Sequence, residues 1–156
     1  MDQEHIYDLI IIGAGPAGLS AGIYAGRATL DTLILEADTV GGQVTTTSIV
    51  YNYPAAPAID GTKLANQMQK QAADFGVTIK RDGVQEVQLD GEIKVITTKS
   101  GHQYQARSVV VATGAHPRKV GFKGEDEFRG RGVAYCSTCD GELFSGLQVF
   151  VVGGGY

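Results

Sequence analysis

Residues 6–26 read IYDLIIIGAGPAGLSAGIYAG, and this stretch decides the fold of the chain. The apolar run Ile6–Ile12, broken only by Asp8, is typical of a strand buried on both faces of a parallel sheet. A Gly-x-Gly-x-x-Gly turn follows it directly. Pro16 suits the first turn of a helix, and the small residues of Ala17–Ala28 predict a helix that lies close to the sheet. The sequence therefore predicts a strand, a tight turn and a helix in succession.

The glycine turn has the features of a dinucleotide-binding loop. Gly13 permits the tight turn, Gly15 lets backbone N–H groups approach a pyrophosphate, and Gly18 lets helix and strand pack closely. A second strand, predicted at Thr32–Leu35, completes a β-α-β unit and ends in Glu36. A carboxylate at that position can accept hydrogen bonds from ribose hydroxyls. A glycine-rich packing turn is the alternative, but it leaves Glu36 unexplained, so we expect a bound dinucleotide.

The rest of the chain predicts an α/β domain and the beginning of a second one. A long loop, Gly41–Pro57, precedes a helix predicted at Thr62–Phe75. The later predicted strands are Val77–Lys80, Val84–Leu89, Ile93–Thr98, Gln103–Ala106, Ser108–Ala112 and Gln148–Val152. Asp-Gly and Ser-Gly turns separate the second, third and fourth of these, which predicts an antiparallel meander. The last strand opens onto three glycines, like a second dinucleotide finger cut off before its helix, so we expect a fragment of a longer protein.

Cys136 and Cys139 form a Cys-x-x-Cys pair that is followed at once by Asp140. Such a pair can store two electrons as a disulfide, and at the start of a helix one of its thiols can become a reactive thiolate. Asp140 is placed to transfer a proton during thiol exchange. Two buried small hydrophobes, or half of an intermolecular metal site, are the alternatives. No metal site within one chain is predicted, because the three histidines are scattered and none has ligand spacing from the cysteines.

The charge and composition of the chain narrow the classes of partner that we expect it to bind. The net charge of −4 gives no basic footprint for nucleic acid, and no basic amphipathic helix indicates a membrane surface. The N-terminal residues are acidic, unlike the basic leader of a signal peptide, and the run Leu9–Ile12 is too short to span a bilayer. We therefore expect a cytoplasmic protein without nucleic-acid or membrane partners. In the reducing cytosol a close cysteine pair is more often catalytic or metal-binding than structural.

Five motifs together resemble the low-molecular-weight thioredoxin reductases. Two of them, Gly41–Thr47 and Ala112–Ala115, are by themselves only a surface loop and a tight turn. The five occur in the family's order: Ile12–Gly18, Gly41–Thr47, Ala112–Ala115, Cys136–Gly141 and Val151–Gly155. The resemblance covers nearly the whole chain but only about the first half of such an enzyme. The cysteine motif is the discriminating one.

The resemblance implies an α/β, Rossmann-like (GR2-type) FAD-binding domain at residues 1–117, with a parallel sheet and an antiparallel meander. Residues 118–156 would be the truncated start of an NAD(P)H-binding domain that carries the redox dithiol. The implied FAD-binding residues are Gly13, Gly15, Pro16, Ala17, Gly18, Glu36, Gly41, Gly42, Gln43, Thr47, Asn52, Val84, Ala112, Thr113 and Gly114. Gly153 and Gly155 would form part of the NAD(P)H site.

The implied activity is that of a thioredoxin-disulfide reductase. Electrons would pass from NADPH through FAD to Cys136–Cys139, and on to thioredoxin or a similar disulfide protein. Cys139 would face the flavin, Cys136 would attack the partner's disulfide, and Asp140 would be the acid–base group. The resemblance also implies a homodimer for the full-length form, and we expect no complete NADPH turnover from these 156 residues alone. Three alternatives stay open: a reductase of another disulfide or peroxidase partner, an electron source other than a nicotinamide, and a flavin-binding fragment without catalysis.

Overall fold

The computed structural model describes residues 5–153, apart from the side chains of Thr138, Cys139 and Glu142. The chain divides into two compact units, Met1–Gly114 and Ala115–Tyr156. The assignment of residues 1–117 to an FAD domain and of 118–156 to a nicotinamide domain stays a prediction. In the described part of the chain, no helix is long and apolar enough to cross a membrane.

Six strands of the first unit form one sheet. They are β1 (Ile6–Ile12), β2 (Thr32–Glu36), β3 (Thr78–Arg81), β4 (Val84–Gln88), β5 (Lys94–Thr98) and β6 (Gln103–Val111), in the spatial order β3-β2-β1-β6-β5-β4. The strands β3, β2, β1 and β6 run parallel, whereas β6, β5 and β4 form an antiparallel meander. The predicted α/β fold is therefore confirmed. Because the parallel strands end at one edge of the sheet, the loops after β1, β2, β3 and β6 meet there.

The second half of β1, Leu9–Ile12, is buried on both faces as predicted, whereas Ile6 at its start is exposed. Ile11 packs with Ile34 and the helices, whereas Ile10 packs with Leu33 and with Ile96 of the meander. All five of these side chains are fully buried. The sheet thus separates a helical layer from a second core beneath the meander, and β1 anchors both.

Two helices cover the helical face of the sheet. Helix α1 (Pro16–Arg27) begins with a proline in its first turn, as predicted, and has no side-chain cap at Gly15. Helix α2 (Gly61–Asp74) is capped by Asp60, whose carboxylate accepts a hydrogen bond from the Lys63 amide at 2.8 Å. Gly76 then takes a left-handed conformation, with φ +81°, and ends the helix as its sequence position predicted.

The prediction of two separate strands, Gln103–Ala106 and Ser108–Ala112, is wrong. One strand, β6, runs without a break from Gln103 to Val111 and contains Arg107 in its interior. Residues 103–106 pair with β5 and residues 105–111 pair with β1, so the strand joins the meander to the parallel sheet. The Arg107 side chain is 60% exposed and lies 3.9 Å from the Asp8 carboxylate, so its charge leaves the backbone ladder intact.

The second unit contains little regular structure in its described part. A short helix, α3 (Ser137–Asp140), leads into a 3₁₀ turn at Gly141–Phe144. The strand predicted at Gln148–Val152 is absent: these residues adopt no regular structure, and Phe150 is 87% exposed. An apolar run becomes a strand only where another strand supplies hydrogen-bond partners, and no described residue does so here.

Candidate functional site

The glycine turn lies at the sheet edge where the parallel strands end. Gly13 has φ +104°, and a side chain there would collide with the backbone of Ala112. A side chain at Gly18 would collide with the Gly13 carbonyl and approach Ile11 Cγ2 to 3.3 Å. The first and third glycines therefore allow the turn and the close helix–strand packing that the sequence predicted.

Gly15 differs from these two glycines because it faces open space. A Cβ at Gly15 would have only the Gly41 carbonyl oxygen near it, 4.0 Å away. The amides of the first turn of α1 have no partner inside the helix, and no side chain caps them. Uncapped amides at a helix start, beside a glycine with free space, make a cradle that fits a phosphate group.

Glu36 is bound to the glycine turn. Its Oε2 accepts a hydrogen bond from the Ala14 amide at 2.7 Å, and its Oε1 accepts one from the Asp38 amide at 2.9 Å. The carboxylate is half-buried at the end of β2. Ala14, which is fully buried, is a site residue that sequence reasoning missed. The position between two glycines of the turn was the available signal, because only a small side chain fits there.

The Gly41–Gly42 loop lies against the glycine turn. The Gly41 amide donates a hydrogen bond to the Ala14 carbonyl at 2.8 Å. A Cβ at Gly42 would lie 3.5 Å from Gly15 Cα, so the two loops face each other. Gly41 and Gly42 have φ +107° and +58°, a region that glycine adopts without strain. The structure thus brings the first two predicted cofactor-binding motifs together.

The other predicted flavin-side residues of this loop lie on its outer part. Residues Gly42–Thr46 form a 3₁₀ turn, and Gln43 and Asn52 are exposed. Thr47 is half-buried, and its carbonyl accepts a hydrogen bond from the Gly61 amide at 3.3 Å. The contacts of these residues hold the loop to the start of α2 and show no direct link to the glycine turn. Their role in binding stays a prediction.

Two more predicted positions occupy the same sheet edge. The Ala112 amide donates a hydrogen bond to the Ile12 carbonyl at 2.8 Å, which places the Ala112–Gly114 segment beside the glycine turn.

Val84 begins β4, directly after Gly83. A Cβ at Gly83 would lie 3.2 Å from that of Ala37. Val84 is therefore the neighbour in sequence of Gly83, which lies close to Ala37, and Ala37 directly follows Glu36 at the end of β2.

The dithiol motif lies in the second unit. Cys136 is half-buried and disulfide-bonded, and α3 begins at the next residue. The Cys136 carbonyl accepts a hydrogen bond from the amide of Asp140, which is also half-buried, at 3.0 Å. The side chain of Cys139 and the residue Gly155 lie outside the described residues. Gly153 is described and has φ +96°.

Comparison with known proteins places the chain in a family. The sequence pattern of the pyridine nucleotide-disulphide oxidoreductases matches residues 7–156. The chain belongs to this family. The thioredoxin reductase of Peptoclostridium acidaminophilum is 48% identical over 154 residues, which are 98% of this chain and 49% of that protein. The thioredoxin reductase of Bacillus subtilis (strain 168) is 45% identical over 155 residues, 99% of this chain and 49% of that protein.

A solved structure of the same kind supports the fold. The thioredoxin reductase from Streptococcus pyogenes MGAS5005 superimposes with a TM-score of 0.84 at 39% identity, covering 91% of this chain and 46% of that one. The resemblance to the thioredoxin reductases that the motifs predicted is confirmed. This pyridine nucleotide-disulphide oxidoreductase chain spans about half the length of the curated relatives it matches.

Proposed function

We propose that this chain is the FAD-binding and dithiol-bearing part of a flavoprotein disulfide reductase that acts on thioredoxin or a similar disulfide protein. The observation that carries the proposal is the open cradle at Gly15, with Glu36 beside it, in the same chain as the disulfide-bonded Cys136. Neither feature alone specifies the activity. Together, in a member of this family, they favour a flavin that exchanges electron pairs with a disulfide.

In the proposed complex, residues Gly13–Gly18 hold the diphosphate of FAD through the backbone amides at the start of α1. Glu36 accepts hydrogen bonds from the adenosine ribose, and Val84 lies near the adenine. The Gly41–Thr47 loop, Asn52 and the Ala112–Gly114 segment line the rest of the cofactor. When bound, FAD supplies two-electron chemistry between a reduced nicotinamide and a disulfide.

The dithiol then performs thiol–disulfide exchange. The Cys136 thiolate attacks one sulfur of the partner's disulfide, which forms a mixed disulfide and releases the partner's other sulfur as a thiolate. The Cys139 thiolate next attacks the Cys136 sulfur, closing the internal disulfide and releasing the reduced partner. Each cysteine gives up its thiol proton before it attacks. Asp140 accepts one of these protons and returns it to a thiolate released from the partner's disulfide, and solvent carries the other. Two electrons and two protons thus pass from the dithiol to the partner.

NADPH is the proposed electron source, bound in the second unit with Gly153 and Gly155 at the start of its glycine turn. A homodimeric full-length form and a cytoplasmic location also stay predictions. Size-exclusion chromatography with light scattering tests the first of these.

An anaerobic dithionite titration of the full-length protein tests the central proposal. A flavin coupled to a redox dithiol takes up two electron pairs per FAD, one for each centre. Cys139→Ser should take up only one pair, whereas Ser137→Ala, a matched change between the two cysteines, should keep both. If the unaltered protein takes up a single pair, or if Cys139→Ser still takes two, Cys136–Cys139 is not the second centre.

A further inference from the structure

Among the described side chains of the second unit, one buried carboxylate is not used by the proposed mechanism. Glu125 is only 4% exposed. Its Oε1 accepts hydrogen bonds from the Val120 amide at 3.0 Å and from the Tyr135 hydroxyl at 2.7 Å, and its Oε2 accepts one from the Gly121 amide. Burying a carboxylate is costly unless hydrogen bonds replace its water, and here three donors do so.

The three donors come from the two ends of one segment, residues 120–135. Val120 and Gly121 precede Glu125, whereas Tyr135 follows it and stands immediately before Cys136. The carboxylate therefore ties the start of this segment to the residue that leads into the dithiol. The Arg129 guanidinium lies 5.5 Å from the centre of the Tyr135 ring and packs over it.

Backbone hydrogen bonds within residues 120–135 also fold this segment back on itself. The Val133 amide donates to the Phe128 carbonyl at 2.9 Å, and the Gly130 amide donates to the Val133 carbonyl at 3.0 Å. The chain thus turns back on itself between Phe128 and Val133, before it reaches Tyr135. After Cys136, the Asp140 amide binds the Cys136 carbonyl and starts the helical turn. Cys136 stands between these two fixed pieces of backbone.

We propose that Glu125 is a positioning residue for the dithiol: by holding the Tyr135 hydroxyl, it fixes the backbone from which Cys136 is presented to a protein disulfide. This inference rests on the proposed function, because it assumes that Cys136 attacks a partner. In this role Glu125 acts through Tyr135, whose hydroxyl it holds.

The protonation states of the pair agree with this arrangement. The hydrogen bond from Tyr135, with help from the Val120 amide, lowers the pKa of Glu125 below its ordinary value. The same hydrogen bond raises the pKa of Tyr135. At neutral pH the carboxylate is therefore charged and accepts, while the phenol is neutral and donates, so the contact is a charge-assisted hydrogen bond.

Two disulfide probes separate positioning from loss of structure. A small disulfide such as 5,5′-dithiobis(2-nitrobenzoate) reaches a thiol from many directions, whereas oxidised thioredoxin docks in one orientation. The reduced full-length protein is reacted with each probe, and mass spectrometry follows modification of Cys136 in a Cys139→Ser background. Tyr135→Phe removes only the hydroxyl and keeps the ring, so it preserves packing. Glu125→Gln removes the charge, and Glu127→Gln is the matched control on an exposed neighbour.

We expect Tyr135→Phe and Glu125→Gln to slow the reaction with oxidised thioredoxin by about tenfold or more, because misplacement by about 1 Å can cost up to about a hundredfold. The reaction with the small probe should change by less than about twofold. The double variant should be no slower than the slower single variant, since both remove one shared contact. Glu127→Gln should behave like the unaltered protein.

Equal effects on both probes would show that the segment has merely loosened, and additive effects or no effect would also overturn the inference. Re-oxidation of the dithionite-reduced flavin by the Cys136–Cys139 disulfide, measured in the unaltered protein and in the same variants with Cys139 intact, keeps this test separate from the proposed function. If the unaltered protein passes no electrons from flavin to Cys136, the proposed function fails. If it does so and the variants match it with thioredoxin, only the positioning role fails.

Discussion

Replacing Gly15 by alanine should weaken FAD binding while leaving the fold intact. The backbone at Gly15 has φ −73° and ψ −179°, which any residue adopts. A Cβ there would lie 4.0 Å from the Gly41 carbonyl oxygen, an ordinary van der Waals distance. The added methyl group therefore fits the protein. It would nevertheless occupy the space through which the loop amides reach a diphosphate.

The expected change in stability is much smaller than the expected change in FAD affinity. Alanine restricts the unfolded chain, which stabilises the folded protein by about 0.4–1 kcal/mol. Alanine is, however, less favourable than glycine at a helix N-cap by about the same amount. The free energy of unfolding without cofactor should thus change by less than about 1 kcal/mol. Losing one hydrogen bond to the charged diphosphate costs about 1.5–3 kcal/mol. That loss weakens FAD binding by about 10- to 150-fold.

The assay pairs a flavin titration of the full-length apoprotein with its denaturant unfolding curve. Gly18→Ala is the matched control, because its Cβ would collide with the Gly13 carbonyl and press on Ile11. This control should lower the free energy of unfolding by about 1–3 kcal/mol. The reasoning is refuted if Gly15→Ala binds FAD as tightly as the unaltered protein. It is equally refuted if Gly15→Ala lowers the free energy of unfolding enough to account for the whole loss of FAD affinity.

Three further predictions concern stability. Asp60→Ala removes the cap of α2 and should lower the free energy of unfolding by about 1 kcal/mol, with Asp60→Ser restoring most of it in the same denaturant assay. The depressed pKa of Glu125 means that its contribution to stability is full above its unfolded value of 4.5 and is lost as pH falls through the folded pKa. Melting temperatures of the unaltered protein and of Glu125→Gln should therefore converge under acid, and a constant difference down to pH 3 would contradict this. Phe150→Ser in this chain should change the free energy of unfolding by less than about 0.5 kcal/mol, because the side chain is 87% exposed, and a larger loss would indicate that Phe150 packs.

The parallel half of the sheet could be predicted from sequence because its signals are local. The run Ile6–Ile12 coincides with β1, since an apolar run of that length, broken only by Asp8, fits a strand of a parallel sheet. Pro16 and Gly76 mark helix ends through constraints on single residues. Each of these features depends on the backbone preferences or hydropathy of neighbours in sequence.

The errors arose where a partner distant in sequence decides the outcome. Separate strands were predicted on either side of Arg107, but β5 pairs with the residues before it, β1 pairs with residues on both sides of it, and its side chain is 60% exposed. A strand was predicted at Gln148–Val152, but apolar residues form a strand only where a neighbouring strand accepts and donates their backbone hydrogen bonds. The contacts of Ala14 and Glu125 were missed for the same reason. Both depend on backbone amides whose positions only the folded chain defines.

Glu36 shows how one side chain can serve both the fold and the proposed chemistry. An ionised carboxylate has about four acceptor positions. In this structure the amides of Ala14 and Asp38 use two of them, one on each oxygen. These bonds hold the carboxylate at the end of β2 and tie it to the glycine turn. Two acceptor positions are left for a pair of ribose hydroxyls, so ligand binding need not break the bond that shapes the loop. A glutamine has one acceptor oxygen with two acceptor positions, so it could not accept from both amides and from two ribose hydroxyls as well, which is why an acid suits this position.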